Sequence, residues 1–450
     1  MNGHDKAGDA MRRARFRGIS LGLERATRLA GLMKDPQDKM SFIHITGTNG
    51  KGSTLCFISS ILTEMGLKVG SYSSPSVIND RDQFRINGEI ISKERYSACM
   101  EEVIAAAEEM TDREAGYPTA FEIETVMAFL LFVREGCDIA VVETGLGGEK
   151  DATNILNTAL IHVITRISED HLHVIGDSLE EIAECKCGII KTKAPTVAVS
   201  SDERISQIIR RRCEAFGSHL TLLGPDDTVI RLIREGDLPL LSFDHKDIKD
   251  LRPSMQGLYQ AENASLAIEA VKILFPQISP DVIKAGIRKA VWPLRFEIIR
   301  EDPLIILDGA HNPGGAMCLR DSLASLYSGH KKLFIAGIFK DKDHKKIVGI
   351  MSHMADKVFT VETPGSDRAL DAVDLCREFI EAGDEAKACT SLEQAVSEAA
   401  LMANGYRDKV MIVCFGSLSF LSGIKECFMG IKSPGTCRYE DRQQRISDKG

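Results

Sequence analysis

The sequence predicts an α/β fold built from two parallel-rich domains, and three observations support it. The chain has 450 residues, too many for one ordinary hydrophobic core. Short β-branched runs alternate with longer amphipathic stretches, the pattern of parallel strands covered by helices. The alternation restarts after Trp292-Pro293, which puts a domain boundary near residue 296.

The first strand is expected at residues 42–46, followed by a glycine-rich turn and a helix over 53–65. Further strands are expected at 139–143, 161–165 and 196–199, and helices at 93–110, 121–134, 178–190 and 259–274. In the second half, strands are expected at 304–307, 333–338, 358–361 and 409–414, with helices between them. The division that follows is residues 1–295, residues 296–432, and a polar, charged tail over 433–450.

Composition narrows the function class. Hydrophobic residues make up 44% and charged residues 27%, as in a soluble globular protein. A net charge of −9 argues against a protein whose main work is gripping nucleic-acid backbones, but leaves room for a local basic pocket. No apolar run approaches the roughly 18 residues of a membrane span, and the basic N-terminus lacks the apolar stretch of a secretion signal. A cytoplasmic protein with no membrane partner is therefore expected. The 12 cysteines are scattered, which suits a reducing compartment. Cys185 and Cys187 form one close pair and His171 and His173 another, but one-residue gaps are not the usual zinc spacing.

The chemistry begins at Gly47-Thr48-Asn49-Gly50-Lys51-Gly52-Ser53-Thr54, between the first strand and its helix. Its glycines let the backbone turn tightly and bring N–H groups against phosphate oxygens, and the helix N-terminus adds partial positive charge. Lys51 reaches terminal phosphates as a mobile cation, and the Ser53 hydroxyl suits Mg²⁺. Only Thr48 and Asn49 separate Gly47 from Gly50-Lys51, where the commonest phosphate loop has four residues. Nucleotide binding is the expectation.

Further motifs follow in order: Ser73-Ser74-Pro75, Phe84-Arg85-Ile86-Asn87-Gly88-Glu89, Thr119-Ala120-Phe121-Glu122, Glu143-Thr144-Gly145-Leu146-Gly147-Gly148 and Asp151-Ala152-Thr153-Asn154. After them come Asp170-His171, Lys186-Cys187-Gly188, Glu262-Asn263-Ala264, Trp292-Pro293-Leu294-Arg295-Phe296-Glu297, Asp308-Gly309-Ala310-His311-Asn312-Pro313, Lys340-Asp341-Lys342-Asp343 and Gly416-Ser417-Leu418. With the Thr-Gly-Thr-Asn-Gly-Lys-Gly-Ser loop, this series resembles the folylpolyglutamate synthase / dihydrofolate synthase family of the Mur ligase superfamily. The resemblance runs from about Gly22 to Gly423.

It implies a large P-loop-type ATP-binding domain and a smaller C-terminal Rossmann-like domain, with the active site in the cleft between them. It also implies an ATP-dependent ligase that adds L-glutamate to folates, and in bifunctional members to dihydropteroate. A carboxylate is a poor acylating agent, so the γ-phosphoryl of ATP converts it to an acyl phosphate that an amine then attacks. Both steps crowd anions together and call for positive charge and exclusion of water.

The resemblance distributes roles over this sequence. Thr48 to Thr54 hold the nucleotide, with Asn263 at the adenine, Arg295 on the phosphates, and Asp308 and His311 at ribose or phosphate. Ser53, Ser74, Glu143 and His171 are implied ligands of two Mg²⁺ ions. Glu143 by itself ends a buried strand, where a helix or turn cap is the alternative reading. His171 by itself reads as a core or surface histidine, because hard cations favour oxygen. Lys186 aligns with a lysine carried as a carbamate, which requires an unprotonated amine in a partly desolvated place. Otherwise it is a solvated helix lysine. Thr119, Phe121, Glu122, Asp151, Ala152, Thr153 and Asn154 match pterin-facing positions, and Lys340 and Asp343 would line the cleft. A monomer is expected.

Several positions depart from the family pattern. Glu149-Lys150 stands for Arg-Leu, Asp82-Gln83 for Glu-Arg, Ser76 for His, Ser168-Glu169 for Gly-Leu, Cys185 for Glu, Leu294 for Gly and Ser419 for Tyr. Two exchanges remove an arginine and one adds a glutamate, so a polyanionic folate tail should bind less firmly. A related ligase acting on another carboxylate is therefore the alternative. A nucleotide-binding paralogue without catalysis is less consistent with retained Lys51, Ser53, Glu143, His171, Lys186, Asp308 and His311.

Overall fold

The structure, a computed structural model, describes residues 3–77, 79–110, 116–170, 173–200, 202–235 and 238–430. It is mixed α/β with parallel-rich sheets, as the alternation predicts. Two compact units divide it: residues 1–229, 243–254 and 262–290 in one, and residues 230–242, 255–261 and 291–450 in the other.

The first unit is organised on an eight-stranded sheet. From edge to edge its strands are Glu89–Ile90, Phe84–Ile86, Val69–Tyr72, Ile139–Glu143, Phe42–Thr46, Ala159–Ile164, Thr196–Val199 and Leu220–Leu223. Every residue of Phe42–Thr46 and Ile139–Glu143 is buried, as expected where helices cover both faces of a parallel sheet. Those two strands pair in parallel, with Ile45 opposite Glu143. Asn87 and Gly88 both have positive φ and close the edge hairpin, the combination a tight two-residue turn demands.

Lys51–Glu64 follows the first strand, and Ala120–Arg134 contributes a nearly continuous buried stretch from Glu122 to Phe132. Phe42 meets Phe129 edge to face at 5.3 Å. Burial of each such ring contributes about 2–3 kcal/mol. At Gly70, an added Cβ would lie 2.6 Å from the Phe132 ring, so the helix lies directly on the strand there.

A three-stranded sheet is formed by Thr228–Glu235, Leu238–His245 and Ile248–Leu251. The second unit carries a six-stranded sheet in the order Glu297–Glu301, Leu304–Asp308, Val410–Phe415, Lys331–Ala336, Lys357–Thr360 and Ala386–Ala388. Only the first of these strands is antiparallel to its neighbour.

Strands at 42–46, 139–143 and 196–199 and the helix at 259–274 fall where the periodicity puts them. Helices Gly3–Phe16, Glu24–Leu32 and Glu203–Phe216 and the three-stranded sheet were not anticipated. The expected tail from residue 433 lies outside the described residues.

Candidate active site

The phosphate loop is shaped by its neighbours. Gly47 has φ +144°, and a Cβ there would sit 1.9 Å from Thr165 Oγ1. Gly50 has φ +92° and caps the helix, with the Asn263 carboxamide 2.3 Å from where a Cβ would stand. Asn263 thus lies against the loop, next to Glu262, whose carboxylate pairs with Arg166 at 2.5 Å.

Thr48 and Asn49 do not offer their amides outward. Both N–H groups donate to the Arg166 carbonyl, at 2.9 and 3.2 Å. The Thr48 hydroxyl donates to the Ser168 carbonyl at 2.9 Å, and the Asn49 carboxamide donates to the Ser168 hydroxyl at 3.1 Å. These two residues therefore fix the loop's shape. Thr54 N–H is the first in the helix to reach back, to Gly50 O at 2.9 Å. The N–H groups of Lys51, Gly52 and Ser53 precede it, in the part of a helix that has no internal acceptors and draws anions. Ser53 and Thr54 are buried below them.

Two lysines converge on one carbonyl. Lys51 Nζ donates to Gly47 O at 3.3 Å, and Lys186 Nζ donates to the same oxygen at 2.7 Å. Lys186 is buried on helix Leu179–Cys187 beside Ile182 and Ala183. Burial, then the Lys51 charge, push its amine down to about 7, against weaker opposing effects from Cys185, Asp170 and Asp151.

Glu143 is buried at the end of its strand and accepts the Ser74 N–H at 2.8 Å. Ser53, Ser74 and Glu143 carry only oxygen donors in their side chains, the chemistry a hard cation takes. No group of three or more His, Cys, Asp and Glu able to hold a metal occurs among the described residues. His171 lies outside the described residues. His173 is exposed and pairs with Asp177 at 2.9 Å, while Cys187 is buried.

A cavity of about 630 Å³ adjoins Ser74 and Gly145 in the same unit. Phe121 lines it and stacks on Tyr72, with ring centroids 6.2 Å apart. Gly145 passes so close that an added Cβ would meet the Phe121 ring at 2.5 Å. Thr119, Glu122, Asp151 and Ala152 also line it, whereas Thr153 and Asn154 do not. Thr153 instead joins His44 at 2.9 Å and Asp151 at 2.6 Å, and Asn154 donates to Glu149 O at 3.0 Å. These two positions hold the wall from behind.

Glu122 is likewise committed. Its oxygens take Arg25 Nε at 2.9 and 3.0 Å and the Thr119 amide at 2.7 Å, completing a capping box at the head of Ala120–Arg134. Lys150, one of the departures from the family pattern, brings a cation to the rim. Arg15, Asp80, Gln83 and Glu124 also line the cavity, and sequence reasoning gave Arg15, Asp80 and Glu124 no role. Arg25 was missed as well, and Ser168 entered only as a departure from the family pattern, without a role. Their partners are 97 and 119 positions away in the chain, a separation that no local pattern signals.

In the second unit, Asp308 is buried and accepts from Tyr259 Oη at 2.5 Å, Phe296 N–H at 2.9 Å and Ala310 N–H at 2.8 Å. Burial raises its pKa. The Arg295 guanidinium lies against Gly309, and His311 Nδ1 sits 2.8 Å from Gly309 O. Leu294 and Phe296, flanking Arg295, have φ of +59° and +52°, so Arg295 is presented from strained backbone. Asp343 caps helix His344–Met351, and Lys340 is exposed.

The family models agree with these motifs. A Mur ligase middle domain matches residues 45–271, and a Mur ligase glutamate ligase domain matches residues 294–418. The dihydrofolate synthase/folylpolyglutamate synthase of Bacillus subtilis (strain 168) is 34% identical over 349 residues, covering 76% of this chain and 81% of that protein. The folylpolyglutamate synthase of Lacticaseibacillus casei is 32% identical over 417 residues, covering 91% of this chain and 95% of that protein. Among solved structures, Mycobacterium tuberculosis folylpolyglutamate synthase complexed with ADP superposes with a TM-score of 0.86 at 28% identity, over 96% of this chain and 100% of that one. E. coli FolC in complex with DHPP and ADP gives 0.79 at 27% identity, over 91% and 94%.

Proposed function

This chain belongs to the Mur ligase family, in its folylpolyglutamate and dihydrofolate synthase branch, and from that premise we propose how its own residues carry the reaction. The protein is an ATP-dependent carboxylate–amine ligase that adds L-glutamate to folates. Dihydropteroate is proposed as a second acceptor, as the names of the Bacillus and E. coli relatives suggest.

The single observation that carries the mechanism is the meeting of Lys51 and Lys186 at Gly47 O, beside a helix start with spare amides. A triphosphate at Lys51, Gly52 and Ser53 meets N–H donors and an ammonium group. The acceptor carboxylate attacks the γ-phosphorus, ADP leaves, and an acyl phosphate forms. The glutamate amine then attacks the acyl carbon, phosphate leaves, and the amine's proton passes to solvent. The Lys51 side chain offsets charge that builds on the transferring phosphoryl group.

Ser53, Ser74, Glu143 and His171 are proposed to hold Mg²⁺, two ions in all, which when bound supply charge neutralisation at the phosphates. Lys186 is proposed to act as its carbamate, since its lowered pKa leaves much of the amine neutral near pH 7 and able to take up CO₂. The anion so formed would add negative charge close to Lys51, since both Nζ atoms approach Gly47 O. Asn263, Arg295, Asp308 and His311 are proposed nucleotide contacts. Thr48 and Asn49 act on the nucleotide through the loop they shape, and Thr54 through the helix turn beneath it. Thr119, Phe121, Asp151 and Ala152 are proposed to surround the pterin, with Glu122, Thr153 and Asn154 holding them.

Residues 1–295 and 296–432 are taken as the ATP-binding and ligase domains, in a cytoplasmic monomer. No helix of the described residues is long and apolar enough to cross a membrane. The test is phosphate release from ATP and Mg²⁺ with glutamate and either dihydropteroate or tetrahydrofolate. Release no greater than in the control without acceptor would overturn the reading, and turnover with another acid alone would move the chain to a different acceptor.

A further inference from the structure

The wall of the acceptor cavity carries a carboxyl that the mechanism does not use. Glu124 lies on helix Ala120–Arg134, one turn beyond Phe121, and is 8% exposed. It lines the cavity together with Gln83. The Gln83 side chain hydrogen-bonds to Glu124, and its Nε2 donates to Asp80 O at 3.3 Å. Arg15, which also lines the cavity, is hydrogen-bonded to Asp80 at 2.7 Å. Burial pushes Glu124 up to about 7 against the pull of Arg15, with Asp80 adding to the rise. A carboxyl kept in such a place at an energetic cost, and open to a cavity, has a reason to be there when a ligand completes its hydrogen bonding.

The surroundings narrow that ligand. Phe121, backed by Tyr72, presents an aromatic face suited to a flat ring. A carboxylate accepts two parallel N–H donors, which is the pattern on the amidine edge of a 2-amino-4-oxo heterocycle. The neighbouring Gln83 carboxamide, whose nitrogen already serves Asp80 O and Glu124, leaves its oxygen as an acceptor for the next position of such a ring.

We propose that Glu124 is a specificity-determining residue of this ligase: with Gln83 beside it, it accepts paired N–H donors from the 2-amino edge of the pterin ring lying against Phe121. The assignment rests on the folate-ligase reading. It departs from the expectation that the drifted acceptor side only weakens binding, since Gln83 is one of the drifted positions.

The test is binding of dihydropteroate, and of its analogue lacking the 2-amino group, to the full-length wild type and to Glu124→Gln. Loss of a hydrogen bond to a charged group should weaken dihydropteroate binding on the order of 10- to 100-fold in the variant. The analogue keeps one of the two donors, so the substitution should weaken its binding several-fold less than it weakens that of dihydropteroate. A merely structural Glu124 would lower the melting temperature and leave the ratio of the two ligands unchanged. Equal binding of dihydropteroate by both proteins would overturn the proposal.

If Glu124→Gln does not fold, the wild type alone decides, since a twofold or smaller preference for dihydropteroate over the analogue would also overturn it. A wild type that binds dihydropteroate selectively but releases no phosphate would sink the ligase reading and leave this assignment standing. A wild type that binds no dihydropteroate would sink both.

Discussion

Lys186 Nζ donates to the Gly47 carbonyl at 2.7 Å from a fully buried position, and Lys51 approaches the same oxygen from the solvent side. Burial first, and then the nearby Lys51 side chain, push the Lys186 amine down to about 7. Above pH 7 the Lys186 amine is mostly neutral and open to CO₂. Below pH 7 it is mostly protonated and closed to it. At fixed dissolved CO₂, initial rates should therefore fall as pH drops through 7, and above pH 7 CO₂ depletion should lower rates that added bicarbonate restores. Lys186→Arg should lose activity by about 100-fold or more with no response to bicarbonate. Bicarbonate-independent rates in the wild type would remove the carbamate from the mechanism.

The same shift fixes a stability trend. A base whose folded pKa lies below its unfolded value holds fewer protons folded than unfolded between those two values. Stability from this group therefore rises from pH 7 toward the ordinary lysine value of 10.5 and is flat below pH 7. Urea midpoints of wild type and Lys186→Met at pH 7 and 9 should differ in slope, with the flatter dependence in the variant.

Lys51 is half-buried, and its Nζ makes only long contacts, 3.3 Å to Gly47 O and 3.5 Å to Thr48 O. Its charge matters to phosphates far more than to packing. Lys51→Ala should cut turnover by about 1,000-fold or more and shift Tm by only about 2 °C, on the scale of a surface substitution. Near wild-type rates would contradict the assignment of the loop.

Legibility in the sequence followed range of interaction. The strand over Phe42–Thr46, the loop after it and the helix that follows were readable because each is a contiguous pattern with its own stereochemistry. Phe121 and Asp151 were reached through motif resemblance, and both line the cavity. Thr153 and Asn154 belong to the same motif but turn inward, since a motif gives order along the chain and not the direction of a side chain. Arg15 and Glu124 lie on helices whose patterns are unremarkable. Their meeting at one cavity depends on packing between segments more than 100 residues apart, which periodicity does not encode.

Gly47 and Gly50 test the loop geometry separately. Gly47→Ala places a Cβ 1.9 Å from Thr165 Oγ1 and 3.1 Å from the Thr165 backbone, at a φ that L-residues rarely adopt. The loop has to move, and ATP affinity should drop below detection in a calorimetric titration. At Gly50 the nearest obstacle is the tip of the Asn263 side chain. Gly50→Ala combined with Asn263→Ala should therefore fold better than Gly50→Ala alone, with about 1 kcal/mol of strain from the positive φ remaining. Identical melting temperatures for the single and double variants would show that Asn263 does not press on the loop.

Arg25 and Glu122 set apart stability from substrate contact. The Glu122 side chain is 2% exposed and that of Arg25 15%, so the pair is close to fully desolvated. Removing the guanidinium leaves a carboxylate with only Thr119 donors, and breaking such a pair costs about 3–5 kcal/mol. Glu122→Gln removes the charge but keeps the shape, so the burden on Arg25 is lighter, because Arg25 also donates to Ser20. Arg25→Ala should therefore lower stability more than Glu122→Gln in urea unfolding. The surviving folded Arg25→Ala enzyme should keep its KM for glutamate and ATP, because neither side chain adjoins the phosphate loop. A large rise in the KM for ATP with unchanged stability would mean that Glu122 serves the reaction directly and not the head of its helix.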